Sequence, residues 1–136
     1  PVCFLNKNTI YREYLLRHKF LCDVELAAAK RGYPLQIFVS EIDTEGQDLM
    51  LDDGDNRKHV QLKSVFKEAT TSSWKIQRKI LRPNLTFAKV IDYDIEHQSI
   101  GDGGGVVLQE FTIESGELKV EYYYTDFIIW LLFVKA

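Results

Sequence analysis

The chain has 136 residues, 46% hydrophobic and 27% charged, with a formal net charge of −3, a profile that fits one globular domain and excludes collagen-like, low-complexity and charge-dominated disordered chains. A chain of this length buries a little under about 70% of its unfolded surface, so folding requires neither a disulfide nor a metal. The longest apolar run, Phe127 to Val134, is far short of the roughly 20 residues that cross a bilayer, so no membrane association is expected. Pro1 to Phe4 shows no basic stretch leading into an apolar run, and Cys3 and Cys22 lack zinc-site spacing. A reducing, cytoplasmic location is the expectation. The small negative net charge argues against attachment to nucleic acid by bulk electrostatics. Its distribution says more: Arg57 to Arg82 holds eight basic residues against the single acid Glu68, a net +7, which leaves −10 for the remainder.

Thr9 to Arg31 has few breakers, N-cap candidates in Asn8 and Thr9, basic residues in its last turn and Gly32 to end it, which predicts one long helix or two short ones. Leu21, Val24 and Ala28 follow helical spacing, and Glu25 sits at the edge of that stripe with its carboxylate at a margin of the core. Pro34 blocks continuation. Leu35 to Ile42 is rich in strand formers, Asp48 to Asp52 is short and apolar, and the turn residues Asp53 to Asn56 lead into Arg57 to Phe66. Three antiparallel strands follow. Period-two alternation puts Val60 and Leu62 on one face of the third strand and Gln61, Lys63 and Val65 on the other. A short helix is expected over Trp74 to Leu81, stopped by Pro83. Gly101 to Gly105 reads as a flexible connection into a strand from Val106 to Ile113, and a turn at Glu114 to Glu117 returns a strand through Tyr124. The last apolar run either extends that strand or forms a helix capped by Asp126.

The pattern Asp48-x(12)-Gln61-x-Lys63, preceded by Glu25 on a helix, resembles the PD-(D/E)XK nuclease superfamily. In that family a helix acid, an acid at the start of a strand and a carboxylate-x-lysine triplet on the next strand converge on magnesium. "GQDLML" stands for the family's "PD" strand, with Gln47 in place of the proline, and "VQLKS" for the following one. The resemblance runs from the first helix through Trp74. It implies an α/β, restriction-endonuclease-like core: an N-terminal helix packed on a mixed central β-sheet, a further short helix and a C-terminal β-hairpin, all within one nuclease-like domain spanning residues 1–136.

The resemblance also implies a site. Asp48, the Gln61 side-chain oxygen and the Leu62 main-chain carbonyl would offer oxygens to Mg2+ or Mn2+, a hard cation that keeps several waters. Lys63 would orient or help deprotonate the attacking water. Gln61 departs from the expected acid, as in members resembling Mrr-type or resolvase-like enzymes, and Glu25 would restore the missing charge. DNA is the implied substrate, with His59, Lys67, Trp74, Lys75, Arg78, Lys79 and Arg82 as candidate contacts and a homodimer or partner subunit completing the footprint. Two alternatives stand beside this: a catalytically silent nuclease-fold module that binds nucleic acid or a protein, and an acidic interaction protein using the −10 remainder. His18, His59 and His97 have no ligand spacing. Gly101 to Gly105 precedes a strand and lacks the Lys-Ser/Thr ending of a phosphate loop, which makes it a linker.

Overall fold

The computed structural model describes residues 2–40, 49–71 and 73–128. Two helices open the chain, α1 (Val2–Lys7) and α2 (Thr9–Lys30). Asn8 separates them with a non-helical backbone, φ −117° and ψ 72°. The break is kept ordered because both the backbone N–H and the side-chain Nδ2 of Asn8 donate to the Phe4 carbonyl, at 3.0 and 2.8 Å. At the far end Gly32 adopts φ +73°, a left-handed conformation that side chains beyond Cα resist, and α2 stops there as its sequence predicts.

Five strands follow among the described residues: β1 (Gln36–Val39), β2 (Leu49–Asp52), β3 (Arg57–Phe66), β4 (Gly105–Glu114) and β5 (Glu117–Asp126). They form a mixed sheet in the order β1-β2-β3-β4-β5. β1, β2 and β3 are an antiparallel meander, β3 and β4 run parallel, and β4 and β5 are an antiparallel hairpin. The chain is thus α/β, with the long helix preceding the meander and a hairpin closing the sheet. The hairpin turns on two residues with positive φ, Ser115 (53°) and Gly116 (77°), the primed geometry whose twist matches that of the flanking strands.

Between β3 and β4 the chain crosses over through a 3-10 turn (Arg78–Leu81) and a short helix, α3 (Leu85–Val90). The expected helix over Trp74 to Leu81 is therefore shortened to its last turn. Its physical cause is a tertiary bond: the Gln77 backbone, extended at φ −67° and ψ 118°, donates its N–H to the Gln61 side chain. α3, in a stretch whose pattern is ambiguous, starts where Asn84 Oδ1 accepts from Phe87 N at 2.8 Å.

Alternation along the strands gives each sheet face its own cover. On one face Phe20 of α2 packs with Leu49, Val60 and Val107, joined by Leu21, Val24, Leu62 and Tyr122. Gln109, almost fully buried, donates from Nε2 to the Leu16 carbonyl at 2.8 Å and so fixes the helix on the sheet. On the opposite face Ile80 and Leu81 pack on Val106. The glycine-rich segment is not a flexible linker. Gly101, Asp102, Gly103 and Gly104 donate in turn to the carbonyls of Pro83, Lys79, Arg82 and Ile80, at 2.7 to 2.9 Å. A Cβ at Gly104 would meet the His59 carbonyl and the Ile80 side chain. Gly104→Ala is accordingly expected to cost about 1–3 kcal/mol in urea unfolding, the range for forced overpacking.

Tyr122 lies edge-on to Phe20, ring centroids 5.6 Å apart, and donates its hydroxyl to Asp23 at 2.6 Å. Burial and that bond to a carboxylate push the Tyr122 hydroxyl well above its usual value of 10.0. Burial also raises Tyr124, to about 12. Because the folded values exceed those of the unfolded chain, the stability linked to these protons is fully present below about pH 10 and is lost as pH rises through the folded values. Tyr122→Phe is expected to flatten, though not remove, the fall in stability as pH rises from about 10 to 12 measured by urea titration, since Tyr124 keeps its share.

Candidate functional site

β2 pairs with β3 only from Arg57 to Val60. From Gln61 to Phe66 β3 is paired to β4 on one side, and among the described residues no strand lies on its other side. The first half of α2 passes along this open margin. Arg12, Glu13, Tyr14, Leu16 and Arg17 from the helix, Gln61 to Ser64 from the strand, and Trp74 and Gln109 border a hollow of about 430 Å³. Side chains from both faces of β3 border it because it lies along the edge of the strand that has no partner strand among the described residues.

Gln61 is 5% exposed, and its Oε1 accepts from Gln77 N over a long 3.4 Å. Lys63 is half-buried and on the same face, as alternation predicts. The Arg12 guanidinium lies over the Phe66 ring, 5.8 Å from its centroid, and its buried Nε has no hydrogen-bond partner among the described residues. Arg17 lies over the Tyr14 ring at 5.6 Å. These ring contacts favour the observed guanidinium positions, and both arginines border the hollow. Three cations, Arg12, Arg17 and Lys63, thus border it against one carboxylate, the exposed Glu13. A concave surface with this balance concentrates anions.

The structure brings Gln61, Leu62, Lys63 and Trp74 to one place. Asp48 lies outside the described residues, immediately before Leu49, whose partner across the ladder is Val60. Glu25 is exposed on α2 twelve residues beyond Glu13, about 18 Å along the helix axis. It does not border the hollow. His59 shares the Gln61 face and is half-buried opposite Met50. Lys67, Lys75, Arg78 and Lys79 are exposed and Arg82 half-buried, none of them at the hollow. Some of the basic run is engaged internally: Arg57 pairs with Asp52 at 3.0 Å, Lys58 lies 4.9 Å over the Phe127 ring, and Lys79 is 3.9 Å from Asp102.

Sequence reading missed Arg12, Glu13 and Arg17. The signal was present in Leu16. Once that residue is placed in the core, its helical neighbours at i−4 and i−3 are Arg12 and Glu13, so both must flank the same margin. Counting charge along the chain favours the Arg57 to Arg82 run and passes over cations that only a helix face assembles. Among the described residues no group of three His, Cys, Asp or Glu is placed to hold a metal. Side-chain oxygens that border the hollow and suit a hard cation include the Glu13 carboxylate and the amides of Gln61 and Gln109, with the Ser64 hydroxyl beside them. Comparison of the chain with family models, with curated proteins and with solved structures gives no match.

Proposed function

We propose that this chain is a magnesium-dependent DNA endonuclease of the PD-(D/E)XK type, with its site at the open margin of β3. The observation that carries the reading is the hollow itself, where Gln61 and Lys63 meet a helix carboxylate and two arginines. The mixed sheet with the candidate triplet on its central strand supports it. In this reading Glu13, not Glu25, is the helix acid, because it borders the hollow and Glu25 does not.

The donor set suits magnesium, which takes one or two carboxylates and retains several waters. Glu13 and the Gln61 amide oxygen would hold it, joined by Asp48. That residue directly precedes Leu49 in the chain and lies outside the described residues. A bound cation would supply Lewis-acid charge and an acidified water. Lys63 places an ammonium where negative charge grows on the phosphoryl oxygens. Arg12 and Arg17 hold the flanking backbone in register by charge and by the fixed fork of their N–H donors.

The test is incubation of the purified chain with plasmid and single-stranded DNA in magnesium or manganese, beside Asp48→Asn. Cleavage that requires the metal and is lost in Asp48→Asn is the expected result; cleavage unchanged by the substitution sinks the reading. One observation favours a second reading, a silent module that binds nucleic acid. Gln61 is neutral where a carboxylate would hold a cation more tightly. That reading predicts DNA retention that weakens steeply with salt and no turnover in any divalent metal.

A further inference from the structure

A second hollow, of about 220 Å³, lies on the sheet face opposite α2. Trp74, Ile76, Leu108 and Tyr123 wall it, and it shares Lys63 and Trp74 with the first. We propose that it receives one unpaired nucleobase of the strand whose phosphate lies at Lys63, so that the substrate is single-stranded or locally opened nucleic acid and not continuous duplex. This rests on the reading of the first hollow as a phosphate site.

The shape and chemistry of the two hollows match the two halves of a nucleotide. The first is cationic, with Arg12, Arg17 and Lys63 on its wall. The second is apolar and aromatic, with Lys63 at the junction. A nucleotide carries its anionic phosphate and its flat π-surface on one unit, and a common lysine and tryptophan set the two recesses side by side to take them together. Leu108 pairs with Lys63 on β3 and with Tyr123 on β5, so one row across the sheet forms the floor and one wall. The row is open to a ligand: Tyr123 remains 50% exposed and Trp74 half-buried. Inside a duplex a base presents only its edge to a protein, because both of its flat faces are stacked on neighbours. Entry into an aromatic recess therefore requires a base already unstacked or pulled from the helix. An apolar side chain of a protein partner would also fit the second recess, but it gives no use to Lys63, which borders both hollows, or to Arg12 and Arg17 at the first.

The experiment measures binding of the full chain, in chelator so that nothing is cut, to three fluorescent probes: a single-stranded oligonucleotide with one 2-aminopurine, the same strand with an abasic site there, and its blunt duplex. We expect the 2-aminopurine emission to be quenched on binding in the single strand, and the abasic strand and the duplex to bind more weakly. Loss of one base-aromatic stack corresponds to about 5- to 150-fold in affinity. Trp74→Ala and, separately, Tyr123→Ala should bring the intact strand down towards the abasic one, with Trp74→Phe recovering most of the loss. Equal affinity for intact and abasic strands, or preference for the duplex, overturns the base recess. In that event, binding of all three probes that still weakens in Arg17→Ala leaves the phosphate site standing. No binding to any probe overturns both.

Discussion

Glu13→Gln and Lys63→Ala are each expected to reduce metal-dependent cleavage by about 10²- to 10³-fold, while Glu25→Gln cleaves within about twofold of the native chain. The contrast follows from position on one helix. Glu13 borders the hollow that holds Gln61 and Lys63, and Glu25 projects from the exposed far end. Removing a positioned carboxylate or ammonium takes away charge that acts on the reacting phosphate, whereas an exposed carboxylate about 18 Å distant is screened by water and salt. Stability separates a chemical effect from damage. Glu13 is exposed, so its substitution should move the unfolding free energy by no more than about 0.5 kcal/mol. Single-turnover rates on a labelled strand, taken with unfolding curves, check both. Full activity in Glu13→Gln with loss in Glu25→Gln would return the site to the other half of α2.

Phe111→Ala is expected to cost about 3–5 kcal/mol of stability, the range for deleting a buried aromatic ring. Phe111 is 1% exposed, and its ring centroid lies 4.2 Å from that of Phe66, which in turn carries the Arg12 guanidinium. A cavity there removes the support beneath a residue of the hollow, so affinity for DNA should fall along with stability. Phe111→Leu keeps most of the volume and should cost less than about 1.5 kcal/mol. Urea unfolding by circular dichroism measures the series. A cost below 1 kcal/mol for the alanine would mean that this end of the sheet is not the packed element described above.

Local rules made β3 legible. Alternation alone placed Gln61 and Lys63 on one face and Val60 and Leu62 on the other, and the turn residues Asp53 to Asn56 marked the start of the strand. That Glu25 stands away from the hollow was not legible, for a physical reason. α2 carries two apolar rows, Leu16 with Phe20 and Leu21 with Val24 and Ala28, and periodicity cannot say which part of either row lies beside the triplet. The shortened helix before Leu81 was illegible because the group that unwinds it, Gln61, is sixteen residues away. Glycine content suggested freedom at Gly101 to Gly105, but the same lack of side chains permits close backbone docking, and only the tertiary partners decide which use prevails.

The parallel seam between β3 and β4 bears on how the chain reaches this state. The β1–β3 meander and the β4–β5 hairpin each join neighbours in sequence, and pairs of that kind close in microseconds. Val60 and Gly105, partners across the seam, are separated by the whole crossover. Its ladder forms only after that long loop has been closed, an entropic cost that none of the local pairs bears. Two preformed halves meeting along one late seam should therefore set the refolding rate. A chain halted before they meet exposes the seam edge of β3 from Val60 to Phe66, a stretch that includes the Gln61 to Ser64 segment bordering the hollow once folding is complete.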